Sequence, residues 1–402
     1  MFVSGFSNLM TAHQPLRILH CFRSPVGGIF RHVRDLAEEH AKAGHQVGIL
    51  CDSTTGGAYE DALFESIMPH LALGLIRLPI RRSLGFSDIT TALKSFGEIK
   101  NLQPDVLHGH GAKGGAFVRL IGSRLRVSRS CVARFYSPHG GSLHYDKNTL
   151  RGQAYFAIER FLERWTDSLV FVSEYERHTY EAKIGTPRTA WRLIHNGLRT
   201  HEFDPVITIP DAVDFLYIGM MRDLKGPDVF IEALRRAEQL AGRPLRAVMV
   251  GDGDDKPRYK ARIEAIGMGG RVTLRDAMPA RDAFALARTV VVPSRAESMP
   301  YIVLEAVAAG KPVISTRVGG IPEILGPDFA GFVPPGDSAA LAGAMAKAAN
   351  EPEWLSGAMP EMADFRDNFS AQTMADRMSA LYREHLSGRT PDSVKPSASS
   401  LS

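Results

Sequence analysis

Cysteine is scarce: Cys21, Cys51 and Cys131 are the only three in 402 residues, an odd and widely spaced set that fits reduced thiols in a cytoplasm better than a disulfide framework. No run of 18 apolar residues occurs, so the sequence offers no membrane-spanning helix of ordinary length. The first residues, MFVSGFSNLMTAHQPLR, lack a basic start and a sustained apolar core and do not read as a cleaved signal peptide. A basic block, zinc-finger spacing and an RNA-binding aromatic motif are also missing, which removes nucleic acid from the expected partners. No internal repeat is evident. What remains is a globular composition, 44% hydrophobic and 23% charged, at a length that favours two domains. A net charge of +4 permits contact with anionic substrates or an anionic membrane surface. The expected location is the cytoplasm, with peripheral attachment to the inner face of the plasma membrane left open.

The most informative stretch is VVVPSRAESMPYIVLEAVAAGKPVISTRVGGIPE, residues 290–323. Val290 to Val292 read as a buried strand, and Ser298 followed by Pro300 and a run of apolar and Ala residues reads as a capped helix start. Gly310 ends that helix, Pro312 to Thr316 form the next strand, and Gly319-Gly320-Ile321-Pro322 open another helix at Glu323. Glu297 and Glu305 frame the unit at a rise of roughly 12 Å if the segment were fully helical. Paired carboxylates that act on one glycosidic bond lie within roughly 5–9.5 Å, so these two suit the ends of an extended ligand instead. Between them the N–H groups around Met299 and Tyr301 form a helix N-terminus, which attracts anions. A sugar, a diphosphate and a nucleoside in one molecule would satisfy all three features.

Glu297-x7-Glu305, inside ESMPYIVLEAVAAGKPVI, resembles the E-x7-E signature of glycosyltransferase family 4, retaining enzymes that use nucleotide sugars. The resemblance extends over roughly residues 16–386. It implies an α/β chain of GT-B type: two Rossmann-like, doubly wound parallel-sheet domains that face a deep cleft. It also implies transfer of a hexosyl group from a nucleoside diphosphate sugar, UDP- or GDP-linked, to a hydroxyl of a glycan or lipid-linked acceptor, as in bacterial cell-surface polysaccharide or lipopolysaccharide synthesis. No metal and no cofactor beyond that co-substrate is implied.

Other residues carry the resemblance along the chain. Arg17 to Phe22 read as a strand, followed by a loop with Gly27 and Gly28 and a helix from Phe30 to Ala43; in the family this loop approaches donor or acceptor. Asp105 to Gly109 read as a strand end with His110 at the following helix start, and Val132 to Ser137 as a strand followed by Pro138-His139-Gly140-Gly141. His139 matches a family histidine that positions the donor sugar. His108, His110 and His139 suggest a metal set, but no carboxylate stands at ligand spacing with them. In the family pattern G-R-L-x3-K-G, Gly219, Lys225 and Gly226 match, Met220 replaces the Arg, and Arg222 stands two residues on. Arg222 and Lys225 are thereby assigned to the donor diphosphate. Gly251-Asp252-Gly253 match the turn that passes close to the nucleotide, Glu305 the ribose, and Glu297 the donor sugar, with Ser298, Met299, Pro300 and Tyr301 at the phosphates.

The expected organisation is a flexible extension at 1–15, an acceptor domain at 16–205, a donor domain at 206–365, a terminal helix at 366–387 packing back on the first domain, and a disordered tail at 388–402. LIRLPIRR at 75–82 and residues 119–134 interleave Arg with apolar residues, which suits either an anionic bilayer or a helix face covered by Arg stems. Three other readings stay open: a nucleotide-sugar epimerase of the same fold, a metal-dependent transferase using Asp252, Asp254 and Asp255, and a non-catalytic nucleotide-sugar binding protein.

Overall fold

The computed structural model describes residues 14–80, 96–127 and 131–387; the expected extension up to residue 13, positions 81–82 and the expected tail lie outside the described residues. The chain divides into two units. The first comprises the chain up to Val172, Arg177–Ile194 and the chain from Gln372 on; the second comprises Ser173–Glu176 and His195–Ala371.

Among the described residues, seven strands build the first unit: β1 Arg17–Phe22, β2 Gln46–Asp52, β3 Gly74–Leu78, β4 Val106–His110, β5 Ala133–Ser137, β6 Ser168–Phe171 and β7 Ala190–Leu193. They pair in parallel in the order β3-β2-β1-β4-β5-β6-β7. A parallel sheet is covered on both faces, which is why β1, β4 and β5 are buried almost throughout rather than alternating. The final helix, Ala371–Ser387, supplies Met374, Ala375, Met378, Leu381 and Tyr382 to a cluster with Leu16, Ile18, Leu36, Val106, Phe135 and Ile194. Within it the Tyr382 hydroxyl and His108 Nδ1 are 2.6 Å apart, both wholly buried. Tyr382→Phe leaves the ring packing intact and strands that nitrogen. It should lower stability by about 1–2 kcal/mol, read as a shift in urea midpoint with an unchanged slope.

Six strands build the second unit: β8 Val213–Ile218, β9 Ala247–Val250, β10 Val272–Arg275, β11 Ala287–Val292, β12 Val313–Thr316 and β13 Phe332–Val333. Their order is β10-β9-β8-β11-β12-β13, again all parallel. In each sheet the order reverses between two neighbours, β1/β4 and β8/β11. The carboxyl ends of strands at such a switch point are where open α/β sheets hold ligands. The two Rossmann-like parallel-sheet units expected from the sequence are therefore present.

Several boundaries differ from expectation. The helix expected from Ser298 begins at Tyr301, with Pro300 as its N-cap at ψ 124° and no side-chain cap. Proline disfavours helical backbone in the residue before it, so Met299 stays outside the helix. Ser298 instead donates its hydroxyl to Glu176 Oε1 at 3.2 Å. The rise of a helix therefore does not set the separation of Glu297 and Glu305. The helix after Gly319-Gly320 starts at Ile321, so Glu323 lies inside it. The first helix runs Gly28–Lys42, placing Gly28 in the helix and Gly27 before it at φ +74°. His110 ends β4 rather than starting a helix, which begins at Gly111.

Candidate functional site

Four loops leave the carboxyl ends of β8, β9, β11 and β12 and are tied to one another by backbone hydrogen bonds. Gly219 donates to Val250 at 3.0 Å, Met221 to Asp252 at 2.9 Å, Arg295 to Leu224 at 2.8 Å and Gly320 to Ser298 at 2.6 Å. Side chains larger than hydrogen do not fit at two of the crossings. A Cβ on Gly226, at φ +69°, would lie 2.1 Å from the Pro293 carbonyl oxygen. A Cβ on Gly319, at φ +60°, would lie 2.1 Å from that of Glu297. Both residues occupy left-handed backbone that favours glycine.

The charged centre of this cluster is Lys225 with Glu297. Lys225 Nζ donates to Glu297 Oε1 at 2.6 Å and Oε2 at 2.7 Å, and the Ser294 hydroxyl donates to Oε1 at 2.7 Å. Glu297 is 8% exposed in its side chain and Lys225 24%, so the carboxylate is enclosed while the ammonium keeps an opening to solvent. Arg222 lies on the same loop as Lys225 and is exposed. Met299 is fixed from behind, where Asn196 Nδ2 donates to its carbonyl at 2.9 Å. Glu305 is half-buried in the helix Tyr301–Ala308. Gly251 and Gly253 lie in the loop after β9, and Asp252 between them accepts from Ala277 N–H at 3.0 Å and Lys256 at 2.9 Å. Those bonds, the Ala277 contact first, hold its carboxyl below the ordinary range.

Sequence alone does not mark Ser294, and it gives Glu323 only as the start of a helix. Glu323 accepts the N–H groups of Glu174 and Tyr175 at 2.8 and 3.0 Å, which closes the start of the helix Glu174–Lys183. Burial pushes this carboxyl up, but the His195 ring nitrogen 3.4 Å away and the two N–H groups outweigh burial and hold it low. The position of Ser294, three residues before Glu297 at the end of an apolar strand, is the signal that could have found it.

In the first unit Gly27 and Gly28 begin the first helix, and His139 follows β5 with a left-handed backbone, φ +50°. Such a conformation is uncommon outside glycine and concentrates at functional sites. His139 belongs to a larger group. The register of β1 against β4 sets His20 beside His108 and Phe22 beside His110. Two sets of three, His20 with His108 and His110 and His32 with His110 and His139, bring ring nitrogens within 4.8 Å. His108 already has both nitrogens engaged, by Tyr382 and by the Ser137 hydroxyl at 2.9 Å. Burial first, then neighbouring imidazoles, holds His20, His108, His110 and His139 well below the usual histidine range, so the rings are neutral.

These histidines also set an acid limit on stability. Burial, then His45, pulls the His40 imidazole down to about 3 against 6.5 in the open chain. The folded state stays unprotonated there while the unfolded state takes up a proton near pH 6.5, so the stabilisation is present above that pH and is lost as pH falls toward 3. Each such group should cost about 1.4 kcal/mol per pH unit in that window. Urea midpoints should be flat above pH 7 and fall steeply below 6.5.

Residues 26–202 match the family model Glycosyltransferase Family 4, and residues 212–351 match the model Glycosyl transferases group 1. A D-inositol 3-phosphate glycosyltransferase of Corynebacterium glutamicum (strain R) is 25% identical over 396 residues, covering 91% of this chain and 94% of that one. Among solved structures, Anabaena Alr3699/HepE in complex with UDP and glucose has a TM-score of 0.75 at 17% identity, covering 92% of this chain and 100% of that chain. The apo form of the lipopolysaccharide outer core galactosyltransferase WaaB has a TM-score of 0.63 at 15% identity, covering 91% and 99%. At these identities the structures show a shared fold, GT-B.

Proposed function

This chain belongs to the glycosyltransferases of family 4 and group 1, and from that premise we propose that it moves a hexosyl group from a nucleoside diphosphate sugar to an acceptor hydroxyl with retention at the anomeric carbon. The observation that carries this reading is the Lys225–Glu297 pair at the carboxyl ends of β8 and β11, enclosed by loops in which Gly226 and Gly319 admit no side chain. A diphosphate would draw the Lys225 ammonium and the exposed Arg222 guanidinium to itself. Glu297, released in part from Lys225, would then accept sugar hydroxyls, and Glu305 those of the ribose. Met299, Pro300 and Tyr301 stand at the helix start on the phosphate side, and His139 is assigned to the donor sugar on the resemblance. The acceptor oxygen bonds to the anomeric carbon as the bond to the diphosphate breaks on the same face, and the acceptor proton passes to the departing phosphate oxygen. No covalent intermediate on the protein is required.

Of the UDP and GDP carriers expected, UDP is favoured, since the Anabaena neighbour holds UDP and glucose. A glycan or lipid-linked acceptor in cell-surface polysaccharide or lipopolysaccharide synthesis is favoured by the likeness to a lipopolysaccharide galactosyltransferase. No helix among the described residues is long and apolar enough to cross a membrane. The test is incubation with UDP- and GDP-sugars and an acceptor panel, reading released nucleotide and the anomeric configuration of the product by NMR. Retained configuration with one nucleotide supports the reading. Inversion would overturn the mechanism, and reshaping of the donor sugar without any acceptor would favour the epimerase.

A further inference from the structure

The histidines of the first unit form a connected chain. His139 Nε2 lies 3.0 Å from His110 Nδ1, and His110 Nε2 lies 3.0 Å from His20 Nδ1. His20 Nε2, at the far end, is buried with no hydrogen-bond partner among the described residues. His32 packs edge-on against the rings of both His110 and His139, at centroid distances of 5.4 and 4.7 Å. A neutral imidazole carries one N–H and one lone pair, so each of the two contacts needs a hydrogen from one side only. The choice made at one ring therefore dictates the next.

Two arrangements satisfy both contacts. If His139 Nε2–H donates to His110 and His110 Nε2–H donates to His20, then His20 Nε2 must carry a hydrogen that is buried and unpaired. If His20 Nδ1–H donates to His110 and His110 Nδ1–H donates to His139, the unpaired atom is a bare lone pair. Buried N–H groups without an acceptor are rarer than acceptors without a donor, which favours the second arrangement. We infer that His20 and His110 are positioning residues that fix the tautomer of His139, whose Nε2 accepts from His110 and whose Nδ1 bears the hydrogen. The hydrogens are assigned from this network of distances and partners. Resting on the proposed transfer reaction, in which His139 is assigned to the donor sugar, the consequence is that its Nδ1–H serves there as a hydrogen-bond donor and not as a base.

The experiment is long-range nitrogen–proton correlation NMR on the full chain with ¹⁵N-labelled histidine, for wild type, His20→Phe and His20→Asn. In wild type His139 should show a protonated Nδ1 and an unprotonated Nε2. His20→Phe removes the first donor and should spread His139 over both tautomers, although His20 is one imidazole removed from it. His20→Asn supplies an amide N–H in place of Nδ1 and should restore the single form. The wild-type spectrum decides even if a variant fails to fold: a His139 protonated at Nε2 overturns the inference, as does a folded His20→Phe with His139 unchanged. Loss of the ring hydrogens on adding one equivalent of Zn²⁺ would overturn it too, making these rings metal ligands. If the tautomer responds as stated while kcat for transfer in His20→Phe equals wild type, the chain stands and the role given to His139 in transfer falls.

Discussion

Glu297→Gln should leave the protein folded and lower its transfer rate by about two to three powers of ten. The substitution keeps the volume and removes the charge that Lys225 Nζ meets at 2.6 and 2.7 Å. Breaking a fully buried ion pair by removing one partner costs about 3–5 kcal/mol. Lys225 retains 24% side-chain exposure and water can reach it, so the loss of stability here should be lower, about 1–3 kcal/mol. The kinetic loss has a different origin. Without Glu297 the ammonium is no longer held where a diphosphate would meet it, and the sugar hydroxyls lose their acceptor. Because both residues act on the same group, Lys225→Ala combined with Glu297→Gln should be far less damaging than the product of the two single effects. Melting curves separate folding from function, and kcat/KM on the three variants measures the coupling. A Glu297→Gln enzyme within tenfold of wild type would remove this carboxylate from the reaction.

The second large effect is conformational. Gly319→Ala should destabilise the protein by about 2–5 kcal/mol, combining about 1–2 kcal/mol for a left-handed alanine with about 1–3 kcal/mol for overpacking. The added carbon would stand 2.1 Å from the backbone oxygen of Glu297 and 3.1 Å from its Cβ, so relief requires moving the loop that carries Glu297. Donor affinity should fall with stability. Gly336→Ala is the control: its φ is +78°, but a Cβ there meets nothing within 4 Å, so only the backbone cost of about 1–2 kcal/mol remains. Equal urea midpoints for the two variants would show that the crossing at Gly319 is not tight.

Much of this was legible in the residues because it is local. Apolar strands ended by glycine, a Gly-Gly turn before Ile321 and the spacing of Glu297 from Glu305 all lie within one strand–helix–strand unit. Pro300 was legible too, but its effect on Met299 works against the capping expected of Ser298, and the backbone restriction wins. The partners were less accessible. Lys225 and Glu297 are 72 positions apart and meet because β8 and β11 are neighbours. His20 meets His110 across 90 positions through the β1–β4 pairing. Three histidines inside apolar strands were the visible sign, though the sequence could not say that they face one another.

The most direct measurement is thermal unfolding with UDP-, GDP-, ADP- and dTDP-sugars, with and without EDTA, on wild type and Glu305→Ala. A donor at a hundred times its dissociation constant should stabilise the folded state by about 2.7 kcal/mol. The expected result is a shift with one nucleotide class that survives EDTA and is lost in Glu305→Ala. No shift with any donor, or one that requires metal and ignores Glu305, would contradict the assignment of the second unit as the nucleotide-sugar site.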